Sequence, residues 1–365
     1  MSLPQVLKVP YFLYKRFLLM KASDAYWKRK IGSRALCIDG RTLDPRAQAL
    51  IELQGEFGVP ASQWTVPMLR GGYNKSMELF DGPKHPLKKV EDISISLPER
   101  DIKGRLYDPN PGVQQRPGLV YFHGGGFVIG GLESHDRFCR KIALETGNPV
   151  IAVDYRLGPE HKFPAPQFDA LDSWKWVQAH SETLGLDASK ISVAGDSAGA
   201  GLALLVTSEA SKGELGHIPV ATALVYPPMM NTPKTVSRDV LAKENIVLTQ
   251  ELLDWFSSHF VVQTKNGQER LLSPMDHAIS GKINPTWIRV CGFDPLRDDG
   301  QLVANQLETL GALIDFAEFE DLYHGFIGAS AILKDVDAMI ADLARFINKH
   351  TQYVAGDVQD TEAAQ

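Results

Sequence analysis

From residue 90 onward the apolar positions fall into short blocks that alternate between two spacings. In Val90 to Leu97 the residues Val90, Ile93, Ile95 and Leu97 are set among polar ones, as in a half-buried strand, and Ile102 to Tyr107 reads as its partner. Gly118-Leu119-Val120-Tyr121-Phe122 and Pro149-Val150-Ile151-Ala152-Val153 are unbroken apolar runs, as expected of strands buried on both faces. Lys190 to Ala194, Ala221 to Tyr226, Trp287 to Cys291 and Leu313 to Glu318 complete the strand set. Between them lie helical stretches: one capped at Ser134 and running to about Thr146, then Phe168 to Ala179, Ala198 to Ala210, Gly300 to Gly311 and Ile332 to Lys349. Strands alternating with helices predict an α/β fold: a mostly parallel central sheet with helices on both faces.

Two regions break the rhythm. Residues 1–85 read as helical and irregular, with Asp44 as an N-cap, Pro45 in the first helical position, and boundary-like stretches at Gly71-Gly72 and from Gly82 to Lys88. Residues 229–285 contain helical stretches such as Gln250 to Phe260, as an insertion lying over one edge of the sheet would. The expected organisation is an N-terminal helical cap or extension (1–85), a first part of the α/β domain (86–228), a cap insertion (229–285), a second part of the α/β domain (286–352) and a frayed tail (353–365).

Residues 3–20 are apolar and aromatic, but Lys8, Lys15 and Arg16 interrupt them. The run is too short and too charged to span a bilayer, and it lacks the uninterrupted apolar core and small-residue cleavage site of a signal peptide. The favoured reading packs it against the rest of the protein. The less favoured one lays it on a membrane surface, with Phe12, Tyr14, Phe17 and Leu18 as apolar contacts and Lys15, Arg16 and Lys21 as basic ones.

Composition changes this picture little. The 365 residues are 44% hydrophobic and 22% charged, with a formal net charge of -6, and nothing points to a nucleic-acid partner. Cys37, Cys139 and Cys291 are odd in number, widely spaced and form no CxxC, so neither a disulfide framework nor a zinc site is expected, and a cytoplasmic location fits. No HExxH or EF-hand pattern occurs, and no metal or cofactor is expected.

The candidate chemistry lies at the ends of the predicted strands. Ile191-Ser192-Val193-Ala194 runs straight into Gly195-Asp196-Ser197-Ala198-Gly199, and a helix follows at once. That is the context of a nucleophile elbow, in which Ser197 sits on a sharp strand-to-helix turn and the flanking glycines prevent collisions. About 70 residues upstream, the strand ending at Phe122 leads into His123-Gly124-Gly125-Gly126-Phe127, a loop whose backbone N–H groups could meet an oxyanion. It lacks the Lys-Ser/Thr of a phosphate loop. Downstream, Asp294 and His324 each stand just past a predicted strand, giving the order serine, acid, histidine. In such a set His324 takes the proton from Ser197, and Asp294 fixes the imidazole tautomer. Position selects His324 among ten histidines; Asp298 is the alternative acid.

On these residues the sequence resembles the hormone-sensitive lipase family of esterases, in its bacterial Gly-Asp-Ser-Ala-Gly branch. The matching pieces are His123 to Phe127, Asp154-Tyr155-Arg156-Leu157-Gly158-Pro159-Glu160-His161-Lys162-Phe163-Pro164-Ala165, Gly195 to Gly199, Asp294 to Asp299 and His324-Gly325-Phe326. The resemblance implies an α/β-hydrolase fold with a helical cap, oxyanion donors at Gly125, Gly126 and Ala198, and a serine carboxylesterase cleaving short- to medium-chain acyl esters through an acyl-enzyme. It also raises a homodimer through the edge strand at 313–318. Gly158 stands where the family usually has alanine, and Ala200-Gly201 replaces the common Gly-Asn. His123, Glu160 and Asp196 are read as structural, and Tyr155, Trp174 and Trp176 as core. The alternatives on the same scaffold are a non-catalytic small-ligand-binding protein and a hydrolase of amides, lactones or long-chain lipids.

Overall fold

The unbroken apolar runs form the middle of an eight-stranded sheet. The structure, a computed structural model, describes residues 5–229, 234–261, 271 and 283–353. A short ribbon of β1 (Cys37–Ile38) and β2 (Arg41–Thr42) precedes the sheet strands. These are β3 (Lys89–Leu97), β4 (Arg100–Asp108), β5 (Arg116–Phe122), β6 (Val150–Asp154), β7 (Leu186–Asp196), β8 (Thr222–Val225), β9 (Thr286–Phe293) and β10 (Ile314–Tyr323). Their spatial order is β10-β9-β8-β7-β5-β6-β4-β3. β4 runs antiparallel to both neighbours, and every other pair is parallel. The sheet is therefore mostly parallel, as expected.

Successive residues of a strand face opposite ways, and here each face has its own core. Leu119 and Tyr121 of β5 enter one core, and Val120 and Phe122 enter the other. β6 divides in the same way, with Val150 and Ala152 against Ile151 and Val153. Each large side chain fully buried in this manner stabilises the fold by roughly 1.5–3 kcal/mol. One core is closed by α5 (Leu132–Thr146) and the C-terminal α11 (Asp335–Tyr353), through Phe138, Ile142, Met339 and Leu343. The other is closed by α6 (Ala165–Ala179), α7 (Ala198–Ser211) and α10 (Arg297–Thr309), through Trp174, Leu202 and Leu307.

Four helices precede the sheet: α1 (Gln5–Lys21), α2 (Asp24–Ile31), α3 (Pro45–Phe57) and α4 (Val66–Phe80). The Asp44 carboxylate accepts the Arg46 and Ala47 N–H groups at 2.8 Å, so α3 starts at its expected cap with Pro45 in the first turn. Leu50 and Leu53 of α3, Leu19 of α1 and Phe80 of α4 join the core under the sheet. Two further helices, α8 (Val236–Leu241) and α9 (Gln250–Phe260), lie in the segment after β8.

Three expectations change. Gly71 and Gly72 mark no boundary but lie inside α4. Thr65 caps that helix, and Leu69, Tyr73, Met77 and Phe80 give it a continuous apolar stripe. Burial of that stripe outweighs the roughly 0.5–1 kcal/mol lost at each glycine. Ser134 is not the cap of α5: Gly131 holds that place, and the Ser134 hydroxyl accepts from the Gly131 N–H at 3.0 Å from within the first turn. Trp174 and Tyr155 are core, but Trp176 is only half-buried, its ring stacked on His180 at 4.2 Å. Beyond Tyr353 the expected tail lies outside the described residues, as do residues 230–233 and, Leu271 apart, 262–282 of the expected insertion.

Candidate active site

The turn after β7 is where strand, helix and glycine loop come closest. Ser197 adopts φ 51°, a strained left-handed conformation for a residue with a side chain, and α7 begins at the next residue. Its N–H donates to the Val225 carbonyl at 2.9 Å, which ties the turn to β8. A Cβ on Gly195 would run into the Gly199 carbonyl, and one on Gly199 into the Phe122 carbonyl. Glycine at both positions is thus a packing requirement, and it leaves the Ser197 hydroxyl projecting into the space above the sheet.

Asp294 and His324 follow the carboxyl ends of β9 and β10, two and three strands away from β7 on the same side. His324 Nδ1 lies 2.8 Å from Asp294 Oδ2, and His324 Nε2 lies 2.9 Å from Ser197 Oγ. With Nδ1–H donated to the carboxylate, Nε2 is left to accept the serine proton. Asp294 is fully buried, and its second oxygen accepts the Leu296 N–H at 2.8 Å. Asp298, the alternative acid, is engaged elsewhere: it accepts the Ser237 N–H at 2.8 Å and pairs with Arg297. The Tyr226 ring stands 4.4 Å from the imidazole.

The glycine loop is fixed to this turn from below. Asp196 Oδ1 accepts the Tyr121 hydroxyl at 2.6 Å and the Gly124 N–H at 2.8 Å, and His135 Nε2 lies 3.3 Å away. Burial alone would push the Asp196 carboxyl up; His135 and the Tyr121 hydroxyl outweigh it and hold it below the usual carboxylate range. His123 is treated oppositely. Burial, with His135 nearby, brings its imidazole down to about 3, so it is neutral under ordinary conditions. It stacks on Tyr155 at 4.3 Å, and the Tyr155 hydroxyl donates to the His123 carbonyl at 2.6 Å. Above these anchors Gly125 and Gly126 take positive φ. Among the described residues the N–H groups of Gly125, Gly126 and Ala198 bond to nothing, and all three residues line the same cavity as Ser197 and His324. Free N–H groups beside a serine hydroxyl can hold an oxyanion that forms next to it.

That cavity has a volume of about 400 Å³. One wall comes from α3 and α4, through Gln54, Tyr73, Met77 and Phe80; the facing wall comes from α9, through Leu252, Phe256 and Phe260. Arg70 of α4 clamps the first wall to the body, donating to the Val128 carbonyl, the Gly158 carbonyl and both oxygens of Glu160 at 2.7–2.9 Å. Glu160 is therefore structural, as read. Gly158 explains its own departure from alanine: a Cβ there would meet the His259 carbonyl at 2.6 Å, where the end of α9 sits down on the loop. The roof residues on α4 were not among the candidates, although the spacing of Leu69, Tyr73, Met77 and Phe80 carried the signal. For His135 no sequence signal existed; only the fold brings it to Asp196.

Residues 119–328 match the model of a family described as alpha/beta hydrolase fold. The chain is 34% identical over 302 residues to the carboxylic ester hydrolase LipN of Mycobacterium tuberculosis, an overlap of 80% of this chain and 79% of that protein. It is 30% identical over 287 residues to the ethyl acetate hydrolase of Pseudomonas putida, covering 77% of this chain and 89% of that one. Among solved structures, a hyperthermophilic esterase from the archaeon Pyrobaculum calidifontis superposes with a TM-score of 0.76 at 33% identity, over 83% of this chain and 96% of that one. An ester hydrolase from the metagenome of Lake Arreo, complexed with a bipyridine phosphonate derivative, superposes with a TM-score of 0.79 at 29% identity, over 84% and 99%.

Proposed function

The chain belongs to the hormone-sensitive-lipase-like esterases of the α/β-hydrolase fold and is a carboxylic ester hydrolase, and from that premise we propose that Ser197, His324 and Asp294 are its catalytic residues. His324 Nε2 removes the Ser197 proton as Oγ attacks the ester carbonyl. The oxyanion is held by the N–H groups of Gly125, Gly126 and Ala198. His324 returns the proton to the departing alcohol, leaving an acyl group on Ser197 Oγ. A water activated by the same imidazole then releases the acid and regenerates the serine. The observation that supports this most directly is the continuous line Ser197 Oγ–His324 Nε2 and Nδ1–Asp294, at 2.9 and 2.8 Å, beside three N–H groups that are unpaired among the described residues.

The substrates in this reading are esters of short to medium acyl chains. A cavity of about 400 Å³ walled by Met77, Phe80 and Phe256 suits a few carbons on either side of the ester better than a long fatty chain. In this reading the insertion at 229–285 and the N-terminal region act as the cap. The reading also includes a cytoplasmic location, in keeping with free thiols at Cys37, Cys139 and Cys291, and pairing of two copies along β10, which among the described residues has β9 alone as a strand neighbour.

The test is Ser197→Ala assayed on p-nitrophenyl butyrate, with a fluorophosphonate probe on the wild type. Hydrolysis should drop at least about 10⁴-fold and labelling should occur at Ser197 alone. A variant that keeps most of the wild-type rate refutes the assignment. A series of esters from acetyl to palmitoyl should peak at or below octanoyl; a maximum at dodecanoyl or longer would make the enzyme a lipase instead.

A further inference from the structure

The N-terminal helix α1 has two faces, and only one is used by the fold. Leu19 is buried, Phe12 packs edge-on to Phe57 and Phe80 at 5.1 and 6.0 Å, and Arg16 Nε donates to the Leu79 carbonyl at 2.7 Å. This seats α1 on α3 and α4, behind the cavity wall that Phe80 lines. On the other side Val9, Leu13 and Phe17 recur every fourth residue, Tyr14 stands beside them, and all four are more than half exposed, at 66, 54, 58 and 60%. Large apolar side chains aligned along an outward stripe are not the scattered exposure of an ordinary surface.

Charge sets the same segment apart. The chain as a whole is acidic, at -6, yet its first 34 residues hold eight lysines and arginines against one carboxylate, Asp24. Asp24 is already bonded to Arg46. Lys21 continues the apolar stripe at the next fourfold step. It is exposed, as are Lys8, Lys28, Arg29 and Lys30, and none of the five pairs with a carboxylate among the described residues. No described helix is long and apolar enough to cross a membrane. A helix that buries one side in its own protein, exposes an aromatic and aliphatic stripe on the other, and carries or is followed in the chain by exposed, unpaired cations matches a surface with apolar depth and negative charge.

We propose that the outward face of α1, with the basic residues of α1 and α2, docks the enzyme on an anionic lipid surface. Val9, Leu13, Tyr14 and Phe17 enter the interface and the lysines and arginines meet the headgroups. The cap wall that α1 supports then lies against the layer in which apolar esters dissolve. The two readings of residues 3–20 are not exclusive: the helix packs with one side and binds with the other.

The experiment is co-sedimentation of the full chain with phosphatidylglycerol–phosphatidylcholine vesicles and with pure phosphatidylcholine vesicles. The comparison proteins are L13E/F17E and K28E/R29E/K30E, all exposed positions away from the cavity. The wild type should bind the anionic vesicles, bind neutral ones at least about tenfold more weakly, and come off as salt is raised from about 50 to 500 mM. Each variant should lose at least about tenfold in binding while hydrolysing soluble p-nitrophenyl butyrate at the wild-type rate. A wild type that stays in the supernatant at low salt overturns the proposal, as do variants that bind undiminished. So does a wild-type dimer that L13E/F17E splits without any vesicle binding, since the stripe would then face a second copy. The vesicle readout needs no ester chemistry, so failure of the Ser197 assignment leaves it intact and is seen separately.

Discussion

At the floor of the cavity Ser197, His324, Asp294 and Asp196 are each held by hydrogen bonds at the carboxyl ends of strands, whereas the walls on α4 and α9 turn apolar side chains such as Met77, Phe80 and Phe256 to the cavity, with Arg70 tying α4 to the body. The floor residues come from the ends of β7, β9 and β10, and the glycine loop bonded to Asp196 follows β5, all strands of one sheet. The walls come from chain segments that precede the sheet and interrupt it. A polar constellation in a buried setting has few arrangements that satisfy every group. An apolar wall has many, because burial is proportional to area and indifferent to direction. The floor is thus built to perform one reaction and the walls to be altered without loss of it.

The sharpest way to break this contrast is at Asp294. Asp294→Asn keeps the shape but presents an amide to Nδ1, which favours the wrong tautomer, and kcat should drop about 10⁴-fold with the fold intact. Steady-state kinetics with a circular-dichroism control measures it. A loss below tenfold would mean that another group, Asp298 being nearest in sequence, supplies the acid.

Asp196 tests how far the floor extends below the reacting atoms. Asp196→Ala leaves the Gly124 N–H and Tyr121 hydroxyl without their acceptor and unmoors the loop carrying Gly125 and Gly126. Two effects follow: a stability loss of about 1–3 kcal/mol and a drop in kcat of about 10–10²-fold with KM little changed. Asp196→Asn, which retains an acceptor oxygen, should recover most of the rate. A KM effect with unchanged kcat would make Asp196 a contributor to stability only.

The walls should respond differently. Phe256 lies over Gly126, where even a Cβ on that glycine would strike its ring. Phe256→Ala opens the roof, so the ratio of kcat/KM for decanoyl over butyryl esters should rise several-fold while butyryl turnover changes less than tenfold. An unchanged ratio would remove α9 from the determinants of chain length.

The difference between floor and walls also decided what the sequence revealed. The strands around the site were legible because two-sided burial leaves unbroken runs such as Leu119–Phe122. Ser197 and Asp294 were legible because each follows a strand buried on both faces, and His324 because it stands just past the edge strand β10. Gly71-Gly72 hid α4, since two glycines look like an interruption until the Tyr73, Met77 and Phe80 stripe finds something to bury against. Gly158 read as a mild departure, and only the approach of the His259 carbonyl gives it a reason. His135 is the extreme case: it lies 61 residues from Asp196 in the chain, and nothing in its neighbourhood marks it as that carboxylate's partner.

The smallest effect separates floor from walls by acid. His123 lies under the glycine loop with its imidazole brought down to about 3, and its Nε2 is buried without a hydrogen-bond partner. In an unfolded chain the same group titrates near about 6.5, so as the pH falls the unfolded state binds a proton that the folded state refuses. The stability tied to neutral His123 is fully present above about pH 6.5 and is lost progressively toward pH 3, by at most about 1.4 kcal/mol per pH unit. Urea unfolding at pH 7.5, 6.5 and 5.5 should show this decline, and His123→Gln should flatten it by close to one proton while Phe256→Ala leaves the slope unchanged. Equal slopes for all three proteins would mean that His123 is protonated in the folded enzyme, and the loop would then rest on a charged base rather than a neutral stacked one.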